Sequence, residues 1–215
     1  MLTFDLRPLM AAAVCAGTEE TRYYLNGVYL EVTPFHMVFV GTDGHRLAAL
    51  RTFVQWDKEP DAHDFNIIIP LSVIKKIKFT KRDTKACLKK ITLPDGGEGY
   101  LIKRLGEPDA DGITFSPLDA TYPDWRRVVP SDASNTGGME IQFNPRYLHE
   151  FLKIGKIFGQ ETEFLSVVKN DAGPAPVSIQ PDLEIVSELN LEYALVIMPF
   201  RSSADKKWEK PEWAK

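Results

Sequence analysis

One order of elements recurs three times along the 215 residues: a short strand, a helix, then a run of strands. Each helix in such a chain can bury its apolar face against strands, which fits a layered α+β architecture. The first unit opens with a strand over Leu2 to Asp5 and a helix from Leu6 to about Ala16. Pro8 is tolerated in the first helical turn and Gly17 is a natural stop. Tyr-, Val- and Phe-rich segments follow as strands, Arg22 to Val32, Phe35 to Val40 and Leu47 to Val54, with Thr33-Pro34 as a turn. The second unit has a strand over Phe65 to Ile69 and a helix from Pro70 that carries the following lysines. Its strands are Cys87 to Leu93, Gly99 to Leu105 and Gly112 to Phe115, punctuated by Asp95-Gly96-Gly97. After a Ser-, Asp-, Asn- and Gly-rich hinge from Ser131 to Gly138, the third unit has a strand over Met139 to Phe143. A helix over Pro145 to Phe158 follows, capped by Asn144. Strands near Glu163 to Val168, Val177 to Gln180, Leu183 to Leu189 and Glu192 to Met198 complete it. The tail from Arg201 onward is charged.

Two of the helices share a further property. In the second, Val73, Ile74 and Ile77 share one face while Lys75, Lys78 and Arg82 recur on another; in the third, Arg146, His149, Lys153 and Lys156 form a stripe opposite Tyr147, Leu148, Phe151 and Leu152. The first helix carries Arg7 alone. Between Lys75 and Lys90 eight basic residues, Lys76 and Lys81 among them, face the single acid Asp83, although the whole chain sums to -4. Such segregation fits one positive surface on an acidic body, and equally a solvated lysine-rich helix. A positive stripe suits phosphates contacted without regard to base sequence. No zinc-finger spacing or helix-turn-helix argues for sequence-specific reading.

The remaining composition excludes several classes. With 44% hydrophobic residues the chain can bury a core. No apolar run approaches bilayer length, the longest, Leu195 to Phe200, being cut by Pro199. The N-terminus does not read as a secretory signal, and Cys15 and Cys87 form neither a metal-type pair nor a disulfide framework, so a cytoplasmic protein with two buried thiols is expected. Asp43-Gly44-His45-Arg46 reads as a turn between strands, with Asp43 capping and Gly44 taking positive φ. His36, His63 and His149 are scattered, so neither catalysis nor a metal or other cofactor is expected.

Four local motifs, in order, carry a family resemblance. Arg22-Tyr23-Tyr24-Leu25-Asn26-Gly27 and then Gly41-Thr42-Asp43-Gly44-His45-Arg46-Leu47-Ala48 resemble a signature in the middle domain of bacterial sliding clamps, the β subunit of DNA polymerase III. Tyr122-Pro123-Asp124-Trp125-Arg126-Arg127-Val128-Val129-Pro130 is similar to the segment that closes that domain. Met139-Glu140-Ile141-Gln142-Phe143-Asn144, with Tyr147, and Val196-Ile197-Met198-Pro199-Phe200-Arg201 resemble the second half of the family's last domain. The resemblance implies a complete clamp domain over 1–130, a half domain over 131–201 and a charged tail over 202–215. Family members carry three domains of two halves each, so this chain holds three halves, which bears on how a ring would close.

The resemblance implies a clamp fold: helices line a hole, antiparallel sheets form the shell, and duplex DNA slides through without chemistry. The residues expected at DNA are the two stripes with Lys76 and Lys81. Arg22, Tyr23 and Tyr24 join them near the strand exit, where the rings could stack on bases or stand as half-buried strand residues. At the start of the second helix, Leu71-Ser72 stands where the family often has a basic pair. The family also has a groove for short Gln- and Leu-containing peptides of DNA polymerases and clamp loaders. Its matching positions are Leu25, Thr42, Gly44, His45, Arg46 and Leu47 from the middle-domain signature. Pro130, Asn144, Tyr147 and Val177 follow, then the terminal run Val196, Ile197, Met198, Pro199, Phe200 and Arg201. An apolar floor with an adaptable Met198 accepts leucine and aromatic side chains, with polar groups such as Asn144 and Arg46 fixing the peptide backbone. Phe200 replaces a smaller or more flexible family residue.

Two functions follow from the resemblance. One is a working processivity clamp. The other is a non-encircling module that keeps the groove and competes with a full-length clamp for its partners. A family ring holds twelve halves, so a homo-oligomer of four chains would supply that number.

Overall fold

The computed structural model describes residues 1–56, 64–80, 84–106, 112–131, 142–161, 164–168 and 173–200. Strand β1 (Leu2–Asp5) runs directly into helix α1 (Leu6–Cys15), where the Asp5 carboxylate accepts from the Arg7 backbone N–H at 2.8 Å. Strands β2 (Gly27–Val32), β3 (His36–Thr42) and β4 (Arg46–Phe53) form a meander, followed by the short β5 (Gln55–Trp56). The order then repeats as β6 (Phe65–Pro70), α2 (Leu71–Ile74), β7 (Lys85–Thr92), β8 (Glu98–Arg104) and β9 (Ile113–Phe115). Past a 3₁₀ turn over Trp125–Val128 come α3 (Pro145–Ile157), β10 (Ser166–Val167), β11 (Ala175–Ser178), α4 (Leu183–Leu189) and β12 (Glu192–Ile197).

The strands make two antiparallel sheets that exchange their opening members. β1 pairs with β7 of the second unit in a sheet ordered β5-β1-β7-β8-β9, and β6 pairs with β2 of the first unit in a sheet ordered β10-β11-β12-β4-β3-β2-β6. Each of the first two units therefore completes the other's sheet. The third unit joins by its last strand, β12, which pairs with β4 from Glu192↔Arg51 to Ile197↔Arg46.

Three segments differ from the sequence expectation. The lysine-rich second helix is a single turn: beyond Ile74 the N–H groups of Lys76 and Ile77 donate back to Val73 and Ile74. Ile77 and Phe79 then pack against the core with exposed Lys78 between them, so the apolar period has changed from helical to alternating. Arg22 to Leu25, expected as strand, lies in a 3₁₀ segment over Glu20–Leu25, and β2 begins only at Gly27. Leu183 to Leu189, also expected as strand, is α4. The Asp182 carboxylate accepts from the N–H groups of Glu184 and Ile185, and Ile185, Val186 and Leu189 reach the core at helical spacing. Of the strand expected over Met139 to Phe143, residues 139–141 lie outside the described residues, as do the hinge residues 132–138 and the tail from 201.

One core unites both sheets with α1 and α3. Phe39, Leu30 and Leu50 from the larger sheet, Leu6 and Leu9 from α1, and Phe151, Ile154 and the C-cap Phe158 of α3 are all fully buried within it. Helix α1 sits so close to β3 that a Cβ on Gly41 would overlap the Ala12 carbonyl. Phe151→Ala should therefore cost about 3–5 kcal/mol of unfolding free energy. Urea denaturation with a shift near zero would contradict the docking of α3.

Candidate functional site

The turn between β3 and β4 is built by its own side chains. The Asp43 carboxylate accepts from the His45 and Arg46 N–H groups at 2.8 and 3.1 Å; the Thr42 hydroxyl accepts from Gly44 N–H at 3.0 Å and donates to the Arg46 carbonyl at 2.7 Å. Gly44 takes φ 87° there, where a side chain would be strained and would meet the Arg22 guanidinium. Just beyond β12, Met198 N–H donates to the His45 carbonyl at 2.7 Å, and Phe200 N–H donates to Gln142 at 2.7 Å. The β4–β12 pairing thus brings the turn and the 196–200 run, distant in sequence, to one end of one sheet.

Alternation along the strands divides the expected groove residues between two faces. Leu25, Leu47 and Val196 lie on the outer face with Val40, Ile68 and Tyr122, and Met198 follows on the same alternation, 38% exposed. Thr42 is buried opposite Leu47. Val177 and Ile197 lie on the helix-side face, packed in the main core with Leu195. Segment 116–131 lies along the outer face: Leu118 N–H donates to the Ile68 carbonyl, Tyr122 stacks on Tyr29 at 4.8 Å, and Pro130 is half-buried at its end. Arg126 grips Glu31 through two hydrogen bonds of 2.9 and 2.6 Å, which hold that carboxyl below the usual carboxylate range.

Arg46 and Asn144 are already engaged. Arg46, buried, pairs with Asp43 at 3.2 Å and with Glu150 of α3, and its guanidinium lies 4.8 Å from the centre of the Tyr147 ring. His45 stacks against the same ring at 6.0 Å. The Asn144 side chain caps α3 by accepting from Arg146 N–H at 3.0 Å. Cys15 is buried nearby, and desolvation pushes its thiol up to about 12 against the opposing pull of Arg46. The half-buried Pro199 and the 67% exposed Phe200 end the described chain, with Arg201 outside it.

The expected DNA set divides as well. Arg146, His149, Lys153 and Lys156 are all exposed along α3, with Arg146 only loosely paired to Glu150 at 3.8 Å. Lys75, Lys76 and Lys78 are exposed, but after α2 rather than along it; Lys81 and Arg82 lie outside the described residues. Helix α1 touches both α2 and α3 and is buried along most of its length. Arg22 pairs with Glu19 at 2.8 Å and lies against Gly44, which puts it beside the β3–β4 turn. Tyr23 is exposed and Tyr24 packs partly on the outer-face cluster.

Glu150, Asp43 and Tyr122 were not among the expected site residues. The Arg146–Glu150 spacing was visible, but Glu150 sits inside a basic stripe and its buried partner Arg46 belongs to another unit. Among the described residues no three His, Cys, Asp or Glu side chains cluster as a metal site, and no helix is long and apolar enough to cross a membrane.

Known proteins place this arrangement. Residues 6–124 match the family described as DNA polymerase III beta subunit, central domain. The beta sliding clamp of Synechocystis sp. is 26% identical over 141 residues, covering 61% of this chain and 34% of that protein. That of Salmonella typhimurium is 30% identical over 120 residues, covering 53% and 28%. The DNA polymerase III subunit beta of Pseudomonas aeruginosa superposes with a TM-score of 0.66 at 20% identity, covering 94% of this chain and 66% of that one. The sliding clamp of Bacillus subtilis gives 0.66 at 17%, covering 94% and 64%. The chain belongs to the DNA polymerase III beta subunit family and has the clamp fold. Its alignments span roughly a third of the length of the curated relatives.

Removing Glu150 leaves the buried Arg46 with one carboxylate instead of two. Glu150→Ala should cost on the order of 3 kcal/mol in chemical denaturation; an unchanged midpoint would mean that the pair contributes nothing to docking α3 on the turn.

Proposed function

We propose that the chain is a sliding-clamp processivity factor that holds duplex DNA without sequence preference and receives polymerase and clamp-loader peptides in the outer-face groove. In this reading residues 1–130 act as a complete clamp domain, 131–201 as a half domain, and the protein is not an enzyme. The observation that carries it is the apolar floor of Leu25, Leu47 and Val196 at the end of the sheet, with Met198 and Phe200 exposed beside it. An apolar strip ending in exposed Met198 and Phe200 suits an extended peptide with leucine or aromatic anchors. Because Arg46 and Asn144 are committed to internal partners, the groove recognises its peptide chiefly by apolar shape.

The four exposed cations of α3 supply the DNA contact, and binding by phosphates alone weakens steeply with salt. Four copies would furnish the twelve half domains of a family ring. A strict monomer in light scattering at high concentration would leave only the non-encircling competitor.

Calorimetry with a Gln- and Leu-containing clamp-binding peptide tests the groove, and salt-dependent DNA retention tests α3. Met198→Ala should weaken the peptide by about 1–3 kcal/mol and spare DNA, whereas Arg146→Glu with Lys153→Glu should release DNA and spare the peptide. Unchanged peptide affinity in the first variant contradicts the groove, and unchanged DNA retention in the second contradicts the α3 surface.

A further inference from the structure

We propose that segment 202–215 of this chain docks in cis on the outer-face groove, laying Trp208 and Trp213 on its apolar floor and masking it until a partner peptide displaces them. This deepens the groove reading above and rests on it.

The apolar surface and the segment meet at one point of the fold. Met198, 38% exposed, and Phe200, 67% exposed, stand uncovered where the described chain ends. Val196↔Leu47 is the last pair but one of the β4–β12 ladder, and Leu25 belongs to the same outer-face cluster. Beyond the ladder, the hydrogen bonds from Met198 to His45 and from Phe200 to Gln142 hold the chain to this end of the sheet as far as its last described residue. Residues that follow Phe200 therefore set out from the rim of the groove. Trp208 is eight residues further on, a reach of at most about 29 Å. Val196, on the floor, is only four residues behind Phe200.

The make-up of the segment suits such a receptor. Apart from Ala204, Pro211 and Ala214 it consists of serines, charged residues and two of the chain's four tryptophans. Tryptophan is highly covered on average in folded proteins, and its large apolar area on a side chain with few rotamers is the profile of a binding anchor. Pro211 stands between the two rings and biases Lys210 toward extended backbone, the form in which a peptide lies along a groove. The segment contains neither Gln nor Leu, so it is no copy of a clamp-binding peptide. It needs none of that motif's polar recognition, because Arg46 and Asn144 are already engaged internally and the floor accepts apolar rings by contact alone.

The tether makes a weak contact sufficient. A linker of a few residues sets an effective concentration of about 1 mM, so a contact with a Kd near ~0.1 mM is occupied about ten to one and lowers the affinity of an incoming peptide about tenfold.

Calorimetric titration of the full chain with the Gln- and Leu-containing clamp-binding peptide tests this. Trp208→Ala with Trp213→Ala should bind that peptide about tenfold tighter than the wild type, and Trp208→Phe with Trp213→Phe should return the affinity to within about threefold of the wild type. A synthetic peptide of residues 202–215, added to the double alanine variant at about 1 mM, should compete with the clamp-binding peptide. Equal affinities of the wild type and the double alanine variant, or a synthetic segment that fails to compete, would overturn the proposal. A gain that depends on protein concentration would assign the contact to the segment of a second copy and overturn docking in cis. Binding of the clamp-binding peptide to neither form would refute the groove reading and this inference with it; equally strong binding to both would refute this inference alone.

Discussion

The antiparallel pairing of Arg46–Arg51 with Glu192–Ile197 is the contact on which the remaining architecture depends. It is the sheet bond between the third unit and the first two, and the burial of Leu195, Val196 and Ile197 within it explains its strength. At about 1.5–3 kcal/mol for each large apolar side chain, those three outweigh the Arg51–Glu192 ion pair, which is exposed and screened. Two buried or partly buried ionic links reinforce the same joint from the helix side. Arg7 of α1 bridges Asp5 and Glu188 of α4, and Arg46 bridges Asp43 and Glu150 of α3.

The proposed groove follows from that pairing. Because neighbouring residues on a strand face opposite ways, β4 and β12 serve the core with Ala48, Leu50, Leu195 and Ile197 while offering Leu47 and Val196 to the other side. A slip of one residue would exchange the two sets, burying the groove and exposing the core. The hydrogen bond from Met198 to His45 fixes that register at its end. Stability and the proposed recognition thus rest on the same ladder.

Much of this was legible in the residues, for reasons that can be named. Asn144-Pro145 announces the start of α3 because cap and first-turn proline act locally; α1 also stops short of Gly17, but through Ala16 in an extended conformation rather than a left-handed glycine cap. The second helix was overextended because lysines at helical spacing are equally compatible with an exposed turn; the alternation of Ile77 and Phe79 was the discriminating signal. Ile and Val favoured strand over Leu183 to Leu189, but the Asp182 cap and the spacing of Ile185 and Leu189 prevailed. The motif resemblance brought Val177 and Ile197 into the groove because it carries position along the chain and not the face of the sheet. The partners of Arg46 could not be read at all, since Glu150 meets it only through the tertiary fold.

In the proposed function, segments 22–27, 42–47 and 194–200 act as one recognition surface. Hydrogen exchange followed by mass spectrometry, with and without a clamp-binding peptide, measures this most directly. Added protection should appear in all three segments together and leave β7 and β8 unchanged. Protection confined to one segment, or appearing on β7 and β8 instead, would contradict it.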